Sequence, residues 1–172
     1  GLPLTKYLAI DHPIQQDILK TLSEMCNIDA NEIQLGVDGC SAPNFALPLF
    51  HAALGMARMC DTRNLSESRA TACKKITTAI TSHSEMVSNF GEFDTELMKI
   101  AAGKIVTKRG AEGFQIMGIM PGVIHERGIG VAIKGCADTL EGTKTIRAAI
   151  WIEAAAANDA REGGTIHWRG DR

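Results

Sequence analysis

The chain has 172 residues, 45% of them apolar and 22% charged, enough for one compact domain with a real hydrophobic core. Its net charge of −2 and pI near 6.2, with acidic and basic residues interspersed, offer no basic field for a phosphate backbone and argue against nucleic-acid binding. No apolar run approaches the ~20 residues of a membrane-spanning helix, so no membrane partner is expected.

Gly1-Leu2-Pro3-Leu4-Thr5-Lys6 lacks both an initiator methionine and the basic start and apolar stretch of a signal peptide, as expected for a soluble, processed or excised piece. The five cysteines, Cys26, Cys40, Cys60, Cys73 and Cys136, are odd in number and form no C-x-x-C pair. That pattern argues against a disulfide framework or a zinc ribbon, and reduced thiols fit a cytoplasmic protein.

In chain order, Asp11 is placed to cap a helix entered through His12 and Pro13. Ile14, Ile18, Leu22 and Met25 recur near helical spacing, Leu19 widens the stripe, and the helix should end near Asn27. Ile33, Leu35 and Val37 alternate like a short strand that runs into the turn signal Asp38-Gly39 and then Pro43-Asn44. Residues 47–60 read as a largely buried helix. Residues 66–81 read as a third, with Ser66 at its start and Ala72, Ile76 and Ile80 as a ridge. Thr95 is placed to cap a short helix through Ala102, ended by Gly103.

Residues 104–108, 113–120 and 130–134 then read as three strands with connections short enough for antiparallel pairing. A closing helix is expected over about 143–158, favoured by the four alanines at 154–157. Helices first, then a meander, then a helix predicts an α+β fold, an antiparallel sheet flanked by helices, with residues 1–172 as a single domain.

Several residues carry candidate chemistry. Asp38 and Cys40 stand two apart at a strand end, so carboxylate and thiol converge on one side and suit one cation such as zinc. Two ligands are too few for a site, and an Asp-Gly turn with an incidental thiol is the more economical reading of the spacing. Lys108, in Lys108-Arg109-Gly110-Ala111-Glu112-Gly113, follows a strand. Desolvated by the sheet it would serve as a base; on an edge strand it would instead discourage aggregation. His83-Ser84-Glu85 and Phe93-Asp94-Thr95 flank a polar connection of the kind that lines clefts, although Asp94-Thr95 is equally a helix start. There is no G-x-S-x-G, S-x-x-K, P-loop or G-x-G-x-x-G, and His12, His51, His125 and His167 have no metal-ligand spacing. Met56, Met59, Met117 and Met120 read as core filler.

Taken in order, the segments resemble the L-asparaginase II family, the β-lactamase-like asparaginases. The resemblance begins with Gly1-Leu2-Pro3, Tyr7-Leu8, Asp11-His12-Pro13 and Gly36-Val37-Asp38-Gly39-Cys40-Ser41-Ala42-Pro43. It continues through Ala46-Leu47-Pro48-Leu49, His83-Ser84-Glu85-Met86-Val87, Phe93-Asp94-Thr95-Glu96-Leu97-Met98, Lys108-Arg109-Gly110-Ala111-Glu112-Gly113 and Gly128-Ile129-Gly130-Val131-Ala132-Ile133-Lys134. These span roughly residues 1–150. The resemblance implies a β-lactamase-like scaffold and hydrolysis of L-asparagine to L-aspartate and ammonia at a site of two serine–lysine pairs. It implies Lys108 as the lysine of the second pair, His83, Asp94 and Thr95 as substrate contacts, and Asp38 with Cys40 as the D-x-C half of a zinc site. A homodimer is implied as well.

The departures are as informative. The family's S-x-x-K and C-S-G-K-H segments, which hold the serines and the other zinc ligands, have no counterpart here. The chain therefore reads as an incomplete, C-terminal portion of an asparaginase-like catalytic domain, expected to have little or no activity alone. The family's His-Pro-Glu is His83-Ser84-Glu85, and the stretch before Ile166-His167-Trp168-Arg169-Gly170 is compressed. Two other readings remain open: another serine–lysine hydrolase or acyltransferase on the same scaffold, and a non-enzymatic metal- or ligand-binding remnant.

Overall fold

A computed structural model of the chain describes residues 1–111, 113–137, 148–156 and 164–169, with side chains described through Gly135. Helices precede strands along the chain. They are α1 (Pro13–Cys26), α2 (Leu49–Cys60), α3 (Glu67–Ser82), the single turn α4 (Glu85–Ser88) and α5 (Phe93–Ala101). A two-stranded antiparallel hairpin, β1 (Gln34–Val37) with β2 (Pro43–Ala46), lies between α1 and α2. The rest is a five-stranded antiparallel meander: β3 (Ile105–Arg109), β4 (Phe114–Ile119), β5 (Ile129–Ala137), β6 (Ala148–Ala156) and β7 (Gly164–Arg169), paired in that order. This is the expected α+β class. No helix among the described residues is long and apolar enough to cross a membrane.

Helix α2 lies across one face of the large sheet, and small residues allow the approach. A Cβ at Gly130 in β5 would overlap the Ala53 carbonyl oxygen, and one at Gly118 in β4 would press on the Cys60 thiol and the Met56 carbonyl. Ala53, Leu54 and Ala132 form the buried centre of this contact, with Phe50, Ile116 and Leu49 around it. Helix α1 in turn hangs on α2 through polar bridges. The ring of His51 bonds to the Cys26 carbonyl at 2.9 Å, and Arg58 donates to the Glu24 and Met25 carbonyls at 3.1 and 3.3 Å. These are carbonyls of the last helical turn, which lack intrahelical partners.

Five expectations about the elements are corrected, four of them concerning helix caps and faces. His12 rather than Asp11 caps α1: its Nδ1 accepts from the Ile14 N–H, so Nε2 is the protonated nitrogen and donates to the Pro3 carbonyl at 3.0 Å. The apolar stripe of α1 is split, because Leu19, Leu22 and Cys26 pack inward while Ile14 and Ile18 stay exposed. In α3 the buried pair is Cys73 and Thr77, one position around from the ridge, and Ile76 is exposed. Helix α5 starts at Phe93 after Glu92, leaving Thr95 inside it.

The closing helix is the largest difference, for residues 148–156 form β6. All nine residues of β5, Ile129 to Ala137, find backbone partners along β6, which pairs on its other side with β7. Alanine's helix preference amounts to tenths of a kcal/mol per residue and yields to a ladder bonded on both sides. The remainder of the expected helix, 143–147 and 157–158, lies outside the described residues.

Candidate functional site

The edge strand β3 is where the candidate residues gather. Successive strand residues face opposite sides. Lys108 pairs with Ile116 and shares the α2 face of the sheet, while Thr107 and Arg109 face the other way together with Gln115 of β4. Helix α5 closes the strand's open edge and inserts Asp94, which is completely buried.

Both carboxylate oxygens of Asp94 are engaged. Its Oδ1 accepts from Gln115 Nε2 at 2.6 Å and from the Thr107 hydroxyl at 3.1 Å. Its Oδ2 accepts from the backbone N–H of Arg109 at 2.9 Å. Gln115 Nε2 also reaches the Thr107 hydroxyl oxygen, and that hydroxyl lies 3.3 Å from the Ile116 carbonyl. Burial pushes the Asp94 carboxyl upward, but the bonds from Gln115, Arg109 and Thr107, with the charge of Lys108, outweigh it and hold the pKa below the ordinary value.

Thr95, equally buried, donates its hydroxyl to the Ser84 carbonyl at 3.0 Å, and the Ser84 hydroxyl returns a 3.4 Å bond to the Thr95 carbonyl. The segment His83-Ser84-Glu85 is thereby clamped to Asp94-Thr95. His83 itself is exposed, 3.7 Å from Glu85, and edges an open groove of about 440 Å³ along α3 with Lys74, Lys75, Thr78 and Ser82. Arg109 pairs with Glu92 at 2.8 Å across the same edge.

Lys108 is exposed, and its ammonium donates to the Arg109 carbonyl at 2.8 Å. Of the two readings left open by the sequence, this setting matches the exposed edge-strand lysine, and the sheet by itself does not desolvate it. The structure brings Lys108, Asp94, Thr95 and the His83 segment to one strand edge, with Asp94 and Thr95 beneath the surface and bonded to the protein itself. Thr107 and Gln115 went unread in the sequence. Thr107 alternates correctly for the inner face of β3, but only the partner identities show its use.

Asp38 and Cys40 sit apart from this cluster, at the tip of the β1–β2 hairpin. Asp38 Oδ1 accepts the N–H groups of Cys40 at 2.8 Å and Ala42 at 3.0 Å, and the Asp38 N–H bonds to the Ala42 carbonyl at 3.0 Å. The carboxylate thus builds a side-chain-capped turn, with Ser41 at φ 63°. Cys40 is exposed, and no group of three His, Cys, Asp or Glu residues able to hold a metal occurs among the described residues. Two donors do not fit the four-coordinate shell of zinc on their own.

The family model for L-asparaginase II matches residues 1–163, nearly the whole chain. The chain belongs to the L-asparaginase II family. The comparison with curated proteins finds no match. Membership places the chain among asparaginase-type amidohydrolases, which act on small molecules, and each of the segments clamped at β3 falls inside the matched span.

Proposed function

We propose that the chain serves the hydrolysis of L-asparagine to L-aspartate and ammonia at a serine–lysine site in which it supplies the lysine, Lys108. The observation that carries this reading is the convergence at β3. Three segments that match the family, at His83, Asp94 and Lys108, meet along one strand edge although up to 25 residues separate them in sequence.

In this reading Lys108 takes the proton of a serine hydroxyl as its oxygen attacks the side-chain amide carbon. The proton then leaves with ammonia, and water releases aspartate from the acyl-enzyme. The serine comes from sequence outside these 172 residues, which hold no S-x-x-K. Packing of that segment over the exposed lysine would also supply its desolvation. His83 contacts substrate at the rim, whereas Asp94 and Thr95 act from below. Zinc belongs to the proposal only as a shared ion, with at least two donors from beyond the described residues, and no step is routed through it.

The test is ammonia release from L-asparagine. The chain alone should release little or none. Joined to the S-x-x-K-bearing segment of a family member it should turn over, and Lys108→Met should remove at least about a thousandfold of that rate. Turnover by the joined protein that survives Lys108→Met would overturn the reading. A different amide or ester that stabilises the protein where L-asparagine does not would favour another serine–lysine hydrolase on the same scaffold.

A further inference from the structure

We infer that Gln115 and Thr107 are positioning residues for Lys108, acting through the buried Asp94 carboxylate on the Lys108–Arg109 step of β3. The inference rests on Lys108 being the base of the proposed site.

Arg109 turns its backbone N–H and carbonyl away from β4. The N–H is held by Asp94 and the carbonyl by Lys108 Nζ, so the buried carboxylate and the lysine ammonium hold the two adjacent peptide units that flank the Arg109 Cα. Any displacement of Asp94 moves the carbonyl on which the lysine rests. What fixes Asp94 is not its own helix but β3 and β4: the Thr107 hydroxyl and the Gln115 amide both converge on Oδ1, and Gln115 also touches Thr107. Gln115 lies diagonal to Thr107 across the β3–β4 ladder, so the three side chains lock helix, edge strand and second strand together. A buried carboxylate with that set of donors has one low-energy position. The lysine's starting geometry is inherited from it, and an error of about 1 Å in such a group costs on the order of a hundredfold in rate.

Isosteric changes test this without emptying the core. Thr107→Val and Gln115→Met each remove a donor to Asp94, while Thr107→Ser keeps the hydroxyl. Amide exchange on the intact chain reads the grip directly. In Thr107→Val and Gln115→Met the Arg109 N–H should exchange roughly tenfold faster relative to the Gly110 and Met120 N–H groups, which bond to backbone carbonyls elsewhere in the hairpin. Thr107→Ser should behave as wild type. Acylation of Lys108 by an amine reagent, referenced to the exposed Lys104, should change in the first two variants and not in the serine variant.

Equal exchange at Arg109 in Thr107→Val and wild type, or a Thr107→Ser variant indistinguishable from Thr107→Val, overturns the inference. So does uniform acceleration of all three amides, which is the mark of general destabilisation. Adding L-asparagine separates this from the functional reading. Failure of L-asparagine to protect Lys108 in the protein joined to the S-x-x-K-bearing segment counts against asparagine as substrate, while the exchange ratios in the chain itself still decide the positioning role.

Discussion

Gly130 in β5 lies directly against the carbonyl oxygen of Ala53 in α2, with no space for a methyl group between them. Because the obstructing atom is backbone, side-chain rotation offers no relief. Gly130→Ala should destabilise the chain at or above the upper end of the ~1–3 kcal/mol seen for overpacked cores, measured as a shift of the urea midpoint. Gly36→Ala, where a Cβ meets nothing within 4 Å, is the control and should stay within about 0.5 kcal/mol.

Asp61, buried at the end of α2, anchors the loop before β5. It accepts two bonds from the Arg63 guanidinium at 2.8 and 2.7 Å and one from the Gly128 N–H at 3.1 Å. Arg127 Nε lies 3.1 Å away, a charge contact without hydrogen-bond geometry. Burial raises the carboxyl, but Arg63, the Gly128 N–H and the charge of Arg127 more than offset it, leaving the pKa at about 2. A pKa depressed on folding stabilises the native state above the unfolded value near 3.9, and that contribution is lost as pH falls through the folded value. Wild type should therefore lose more stability than Asp61→Asn between about pH 4 and pH 2. At neutral pH Asp61→Asn should destabilise the protein, chiefly because the more buried Arg127 loses the charge beside it, whereas half-exposed Arg63 keeps its bond to the Glu126 carbonyl. Thermal melts of both proteins across that range check the prediction.

The thiols should separate cleanly by reactivity. Burial pushes Cys60 up to about 12, aided by neighbouring Cys73 and Asp61, and pushes Cys26 up to about 11 against the opposing charge of Arg58. Since the thiolate is the nucleophile, native iodoacetamide at neutral pH should modify exposed Cys40 and spare Cys26, Cys60 and Cys73. Peptide mass spectrometry before and after denaturation measures this. Native labelling of Cys60 at a rate comparable to Cys40 would contradict the packing of α2 on the sheet.

The hairpin tip yields a test of its own. With two donors available at Asp38 and Cys40, the chain should take up no stoichiometric zinc, and Cys40→Ala should leave its metal content unchanged. One zinc per chain in wild type, lost in Cys40→Ala, would mean that donors from elsewhere complete the site.

Much of the fold was legible because its signals are local. Ser66 accepts from the Arg69 N–H at the start of α3, Asn27 adopts the left-handed conformation that ends α1, and the strands over 105–109 and 114–119 follow their periodicity. Stripe orientation was not, since which side of α1 or α3 packs inward depends on a neighbour that spacing does not name. The alanine run misled for a related reason: a strand bonded on both sides overrides a preference that only a free segment expresses. At the site, the types and order of Lys108, Asp94, Thr95 and His83 could be read, but not the burial of two of them. Asp94-Thr95 does lie in the first turn of α5, as its helix-start reading has it, but nothing in the sequence shows that Thr107 and Gln115 wait opposite.

The two caps on Arg109 have a consequence for how the chain behaves in company. The unpaired side of an outermost strand is where a second polypeptide adds itself by backbone bonding, and long, flat examples seed aggregates. At Arg109 both outward groups are already taken, the N–H by Asp94 and the carbonyl by Lys108, and α5 covers the strand behind them. The same two side chains that organise the proposed chemistry thus act as a barrier to self-association at the start of the meander.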